Sequence, residues 1–300
     1  MCYVPHGLLP LAYRNRARLY AWLVQASGAT LREVAADPRH LGAEIGILSI
    51  LHTWGQTLVR HPHVHCVVPA GGLSPDHQHW IRPRYDGFFL PVKVRSRVFR
   101  GKFVEALRRA YDQNKLDLAG GSEHRRDPAQ WHAFVDALFE TDWVVYAKPA
   151  FGGASAVLRY LGRYTHRVAI SNHRLCAFDG DLVTFQWKDY AHGDQRRTMT
   201  LSTMEFLRRF VQHILPRRFV RIRPSGFLAN TGRVARLTLT RTLLALPSAA
   251  ATSTHAITTA TTETAPRATW ACPRCSAAMI VGPILSALRL TTITLRVDTS

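Results

Sequence analysis

Gln56-Thr57-Leu58-Val59-Arg60-His61-Pro62-His63-Val64-His65-Cys66-Val67-Val68-Pro69-Ala70-Gly71-Gly72 reads as a strand running into a turn, with histidines at alternate positions. After Pro62 the residues Val64, Cys66, Val67 and Val68 are β-branched or small and apolar, and Pro69 with Gly71-Gly72 ends the run. Successive strand side chains face opposite sides, so His63, His65 and Val67 share one face while Val64, Cys66 and Val68 share the other. Two imidazoles one pleat apart can bind one divalent ion if a third ligand arrives from elsewhere. The competing reading is a solvated edge strand in a chain that has 15 histidines.

Upstream, Ala43 to Trp54 is rich in Ile and Leu and bracketed by Gly42 and Gly55, which suits a buried strand better than a helix. If it neighbours the histidine strand, His52 or Gln56 can approach the ion. Before it lies a helical segment, residues 1–40. There Leu11 to Ala26 places Tyr13, Leu19, Tyr20, Leu23 and Val24 in one stripe, and Thr30 to Ala36 reads as a second short helix stopping before Pro38.

Three hundred residues with 47% hydrophobic content are enough for one large core. Lys plus Arg number 39 against 20 acidic residues, a formal net charge of +19. So basic a globular chain calls for a polyanionic partner, and nucleic acid is the commonest. No long apolar span points to a membrane. Five cysteines, an odd number, suggest no disulfide framework, and no signal-peptide pattern opens the chain, so a cytoplasmic, reducing location is the default.

Downstream, Val98 to Tyr111 repeats Phe99, Phe103, Leu107 and Tyr111 every four residues as a helix. Pro128 to Glu140 reads as another, with Asp127 as N-cap and Pro128 at the first position. Asp142 to Lys148 reads as a central strand. Then Ala154 to Ser171 contains Tyr160 and Tyr164, four apart and so on the same side of a helix, beside Arg159, Arg163 and Arg167 at the same spacing. Val157, Leu158 and Leu161 supply an apolar face. Phenol is a poor nucleophile near neutrality, but a metal that polarises a phosphodiester, with cations to stabilise the developing charge, makes it competent. Core packing is the bland reading of such a pair.

The His63-Val64-His65 strand followed by Tyr160-Leu161-Gly162-Arg163-Tyr164 resembles the HUH (His-hydrophobe-His) endonucleases, specifically the two-tyrosine transposases of rolling-circle insertion sequences, relatives of Helitron transposases. The blocks His52-Thr53-Trp54-Gly55-Gln56, Ala147-Lys148-Pro149, Tyr164 to Ser171, Trp187-Lys188-Asp189-Tyr190 and Gly226-Phe227-Leu228-Ala229-Asn230 are also similar to that family, from about Leu8 to Arg236. The resemblance implies an α/β (α+β) fold with a central antiparallel sheet flanked by helices. It implies His63 and His65 as ligands of Mg or Mn, and Tyr160 and Tyr164 as nucleophiles forming 5′-phosphotyrosine links to single-stranded DNA at transposon ends and target. The third ligand is open among His166, His52 and Gln56, with His61 as a fourth candidate. The family usually carries a cysteine-rich zinc-binding segment ahead of the catalytic domain; this chain begins where that segment should have ended and so reads as N-terminally truncated. A DNA-binding remnant without cleavage, and a metal hydrolase without covalent intermediates, are the alternatives.

Leu182 to Trp187 alternates like a strand that Arg196 to Leu201 can pair with, and Leu201 to Leu215 reads as an amphipathic helix opening on Ser202-Thr203-Met204-Glu205, a capping box. The run Arg217-Arg218-Phe219-Val220-Arg221-Ile222-Arg223 reads as a strand tracking phosphates, with Phe219 stacking on bases. Together with Lys148, Arg159, Arg163 and Arg167, its arginines are the expected DNA contacts. The expected division is a catalytic domain over 41–236, a low-complexity linker over 237–269, its Ala/Thr/Ser/Pro composition plainest from Leu246, and a C-terminal appendage over 270–300 in a flexible tail. Cys272-Pro273-Arg274-Cys275 is half of a zinc site, and zinc is not expected there without a second pair.

Overall fold

The structure is a computed structural model that describes residues 1–84, 90–148, 151, 153–165, 169–190, 192–245, 269–271 and 278–280. In chain order its elements are β1 (Cys2–Tyr3), α1 (Leu9–Arg14), α2 (Arg16–Ala36), β2 (Gly46–Trp54), β3 (Arg60–Val67), β4 (Gly72–Leu73), β5 (Trp80–Ile81) and α3 (Val92–Asp112). There follow α4 (Pro128–Glu140), α5 (Ala154–Thr165), β6 (Leu175–Phe178), β7 (Leu182–Asp189), β8 (Gln195–Ser202), α6 (Thr203–Val211), β9 (Ile222–Gly226) and α7 (Arg233–Ala245). The strands β10 (Thr269–Ala271) and β11 (Ala278–Ile280) pair antiparallel in a second compact unit, Ser248–Ser300.

The first unit, Met1–Pro247, is built on an antiparallel sheet of order β1-β3-β2-β9. Its centre is the β2–β3 hairpin, where His52 opposes His63 and Ile50 opposes His65. Period-two alternation decides what each face does. Leu51 and Val64 point to one side and join Leu19 and Leu23 of α2 and Phe99 and Phe103 of α3 in a continuous core. Ile47 joins Leu31 and Val34 of α2 in a neighbouring cluster. Burying each such side chain contributes roughly 1.5–3 kcal/mol, so this layer locks the register. A slip of one residue would drive the imidazoles into the helical core.

Helix α2 runs unbroken for 21 residues through Gly28, where the sequence suggested two helices. Packing against the sheet outweighs the roughly 1 kcal/mol cost of a helical glycine. Its N-terminal stripe is also shorter than expected: α1 ends before Asn15, and Tyr13 is 45% exposed, its ring beneath the buried Arg60 guanidinium at 4.2 Å. Helix α3 starts six residues earlier than its apolar repeat and buries Phe99, Phe103 and Leu107, while Tyr111 stacks on Trp131 of α4 at 3.9 Å. Helix α4 begins as expected, with Ala129 donating its backbone N–H to the Asp127 carboxylate at 2.9 Å.

Residues 142–148 are not a central strand. They lie beyond β1 at the outer edge, joined by the single bridge of Val145 to Cys2 and by Tyr3 donating its N–H to the Val144 carbonyl. The two-residue β1 offers too short a ladder for a strand to propagate. Their alternation is real, since Trp143 and Val145 are buried while Val144 and Tyr146 are exposed.

A second antiparallel sheet, β6-β7-β8, follows α5. The pairing of β7 with β8 is as the alternation implied. Helix α6 is capped by Ser202, which accepts from the Glu205 N–H at 3.3 Å, but it ends at Val211 rather than Leu215. This sheet packs on the tip of the β2–β3 hairpin: Leu58, held at φ +61, joins Ala169 and Phe185 in a third core cluster.

The basic run is a turn first and a strand only from Ile222. Phe219 is partly buried, edge-on to Tyr20 at 5.9 Å, with the Arg223 guanidinium over its ring at 5.1 Å. Strand β9 ends at Gly226, whose φ is +62 and where a Cβ would stand 1.8 Å from the Ile45 carbonyl oxygen. Residues 237–245, assigned by composition to the linker, lie in α7. The Cys272–Cys275 motif lies outside the described residues. Among the described residues no helix is long and apolar enough to cross a membrane.

Candidate active site

The sheet face opposite the helical core gathers three imidazoles. His63 and His65 come from alternate positions of β3, and His52 from the position of β2 opposite His63. One ring nitrogen from each lies within 4.8 Å of the others, and all three residues are buried. The third imidazole of the cluster thus comes from β2. Gln56 turns away, its side chain meeting Lys188 N and the Tyr190 hydroxyl, and His166 lies outside the described residues. The His61 ring packs on Tyr3 instead, at 4.9 Å.

The protons of this cluster have one consistent arrangement. His63 Nδ1 lies 2.6 Å from the His61 carbonyl oxygen, which can only accept, so His63 carries its proton on Nδ1 and presents a bare Nε2. His65 Nε2, 3.0 Å away, is then the donor of that pair, and His65 Nδ1 is left as an acceptor. The acceptor meets the hydroxyl of Tyr160 at 2.5 Å. A chain of hydrogen bonds thus runs from a phenol through two neutral imidazoles to a backbone carbonyl.

Burial is what keeps the rings neutral. It pushes His63 down to about 3, with the neighbouring His61 and the N-terminal charge adding to the effect and the bond to the His61 carbonyl opposing it. His65 is lowered by the same desolvation first, then by His52, His63 and the Lys148 ammonium. Neutral, buried and convergent imidazoles, one of them oriented by a backbone carbonyl, fit a metal centre. Nitrogen donors suit a first-row transition ion better than Mg²⁺, whose shell is oxygen.

Tyr160 is half-buried on α5, its ring 5.0 Å from Phe151. Tyr164 follows one turn later on the same side of the helix backbone, while its side chain and that of Arg163 lie outside the described residues, as does Arg167. The expected apolar face is only partly formed, because Leu158 is 68% exposed. Lys148 and Arg159 are exposed, as are Arg217 and Arg218 in the turn before β9. Arg221 and Arg223 are partly exposed: Arg221 Nε donates to the Leu51 carbonyl at 3.2 Å and its guanidinium lies over Trp54 at 5.1 Å, whereas Arg223 Nε donates to the Val220 carbonyl at 3.2 Å.

Sequence reasoning missed the residues that hold the histidines. Trp54 stacks on His52 at 4.7 Å, and Tyr3 stacks on His63 at 5.1 Å. Trp54 sits two residues after His52 in one strand, so period-two reasoning could have found it; Tyr3 could not be found, because β1 is too short to leave a pattern. His213, buried after α6, contacts Thr53 Oγ1 at 3.2 Å and the Leu58 carbonyl at 3.0 Å, tying the second sheet to the hairpin.

Comparison with known proteins adds the following. A family described as "Putative transposase" matches residues 46–235, which span both the histidine hairpin and α5. The chain is 49% identical over 253 residues to "Putative transposase y4qJ" of Sinorhizobium fredii (strain NBRC 101917 / NGR234), covering 84% of this chain and 63% of that protein. It is 29% identical over 236 residues to "Transposase for insertion sequence element IS801" of Pseudomonas savastanoi pv. phaseolicola, covering 76% of this chain and 53% of that protein. The chain thus spans about half to two thirds of the length of these curated relatives. No solved structure matches.

Proposed function

Because the chain belongs to the transposase family matched over residues 46–235, we propose that it nicks and joins single-stranded DNA through a tyrosine nucleophile set beside a three-histidine metal centre. The observation that carries this reading is the 2.5 Å contact between Tyr160 Oη and His65 Nδ1, which links the nucleophile to one of the metal ligands.

His52, His63 and His65 would hold the ion, which supplies polarisation of the scissile phosphate and neutralises charge on its oxygens. Bound through Nε2, a neutral His65 would keep its one proton on Nδ1 and donate it to Tyr160 Oη, orienting the phenol. As Tyr160 Oη bonds to phosphorus, its proton passes to solvent water, and the bond from phosphorus to the 3′ oxygen breaks. The 3′ oxygen leaves as a hydroxyl with a proton from solvent, and the 5′ side stays on the enzyme as a phosphotyrosine. Lys148 and Arg159, both exposed, are available to the flanking phosphates. Tyr164, one helical turn on, is the second nucleophile, so that one strand can be transferred without losing the covalent link.

The test is incubation of the full chain with a labelled single-stranded oligodeoxynucleotide and Mn²⁺, followed by a denaturing gel and mass mapping of the adduct. A protein-DNA adduct on the peptide holding Tyr160, lost in Tyr160→Phe and in the presence of a chelator, supports the reading. Tight binding with no adduct would make the chain a DNA-binding remnant, and freely released product would make it a hydrolase.

A further inference from the structure

The second sheet has an inner and an outer face of opposite character, and among the described residues only the inner one is covered. Inward, Val183 and Phe185 are buried, and Trp187, Met199, Leu201, Phe206 and Phe210 pack around them. Outward, the alternation sets Thr184, Gln186 and Lys188 of β7 opposite Thr200, Thr198 and Arg196 of β8. Thr184 and Thr200 join hydroxyls at 2.8 Å, and Gln186, Arg196, Thr198 and Thr200 are exposed. At the end of this row Tyr190 is 62% exposed, with the Lys188 ammonium over its ring at 4.9 Å.

Such a face combines hydrogen-bonding side chains, two cations and an open aromatic ring, with Leu182 as an exposed aliphatic at its far end, a more polar surface than a protein partner would bury. Its position is also informative. The Gln56 side chain contacts Lys188 N at 3.4 Å and the Tyr190 hydroxyl at 3.5 Å, and Arg174 Nη2 donates to the Gln56 carbonyl at 2.5 Å. Those bonds fasten the Lys188–Tyr190 end of the row to the tip of the hairpin whose strands carry His52, His63 and His65.

We infer that the outer face of the β6-β7-β8 sheet binds a single DNA strand flanking the one cut at the histidine centre, with Tyr190 stacking on a base and Lys188 and Arg196 meeting phosphates. For the identity of the ligand as DNA, the inference rests on the function proposed above. The surface itself is independent of the chemistry at Tyr160. Asp194 pairs with Lys188 at 2.6 Å, an exposed ion pair that a phosphate can replace at little cost.

The experiment is fluorescence anisotropy of a labelled oligodeoxythymidylate with the full chain in chelator, so that no cutting occurs. Tyr190→Ala is expected to weaken binding roughly tenfold, the effect of losing one stacked base. Gln186→Glu combined with Thr198→Glu, both exposed positions, is expected to weaken it further, and Thr198→Lys to tighten it and steepen the salt dependence by about one phosphate contact. Binding within twofold of the parent for all three proteins overturns the inference, as does tighter binding of the matching RNA homopolymer. Tyr160→Phe separates the two proposals: it should bind as the parent does while forming no adduct. Loss of binding in Tyr190→Ala alongside an absence of adducts in the parent would refute the chemistry and leave this surface standing.

Discussion

Tyr160 Oη lies 2.5 Å from His65 Nδ1, although the two residues are 95 positions apart in the chain. The contact sets a phenol from α5 against a sheet whose other face is locked into the helical core. It brings the Tyr160 hydroxyl of α5 to a ring nitrogen of the histidine cluster.

Replacement of Tyr160 by Phe removes one oxygen and leaves the ring packed on Phe151 at its present 5.0 Å. Adduct formation on the Tyr160 peptide should fall by at least about a thousandfold, with thermal stability nearly unchanged, because phenylalanine carries no oxygen to attack phosphorus. Adduct yield on a denaturing gel, beside a thermal melt, measures both.

His52 and His61 offer a direct contrast between two histidines near the same centre. His52→Ala removes a convergent nitrogen and should weaken Mn²⁺ binding by more than about tenfold, while His61→Ala keeps the backbone carbonyl that orients His63 and should leave binding within a few-fold. Trp54→Ala should fall between the two, because it frees the His52 ring that it now stacks upon. Calorimetric titration with Mn²⁺ ranks the three; equal losses for His52→Ala and His61→Ala would displace His52 as the third ligand.

Acid should unfold this protein through its buried imidazoles. Burial lowers His61, His63, His65 and His213 in the fold, His63 to about 3, against an ordinary value of 6.5. Below about pH 6.5 the unfolded chain takes up protons that the fold refuses, so stability is full above that pH and falls as the pH drops toward 3. Each such group contributes a slope of up to about 1.4 kcal/mol per pH unit. Urea midpoints between pH 8 and pH 4 should show this decline, and His213→Asn, which lies outside the metal cluster, should flatten it. A midpoint independent of pH over that range would contradict the neutral assignment.

Gly226 is required by the backbone. At φ +62, with a Cβ position 1.8 Å from the Ile45 carbonyl oxygen, Gly226→Ala should cost at least about 2 kcal/mol and loosen β9 from β2. Gly121, at φ +93 but with open space around it, should tolerate alanine with a smaller loss arising from backbone strain alone. Equilibrium unfolding of the two variants under the same conditions gives the comparison.

The sequence by itself determined the local elements that follow from periodicity and capping. The alternation of β3 put His63 and His65 on one face, the four-residue repeat of Phe99, Phe103 and Leu107 made α3, and Asp127-Pro128 and Ser202 opened two helices where they stand. Period two and period 3.6 are properties of the chain alone and need no partner to be read. What the tertiary structure decided was everything that depends on which strands become neighbours. Antiparallel register placed His52 opposite His63 and so brought a third imidazole into the cluster, while the Gln56 side chain met Lys188 and Tyr190. A β1 of two residues, too short to carry a further ladder, left residues 142–148 at the edge instead of the centre, and packing against Tyr20 and Trp54 drew Phe219 and Arg221 partly inward. Pairing and burial are long-range outcomes, fixed by where the apolar face of the sheet finds its helices, and no window of residues contains them.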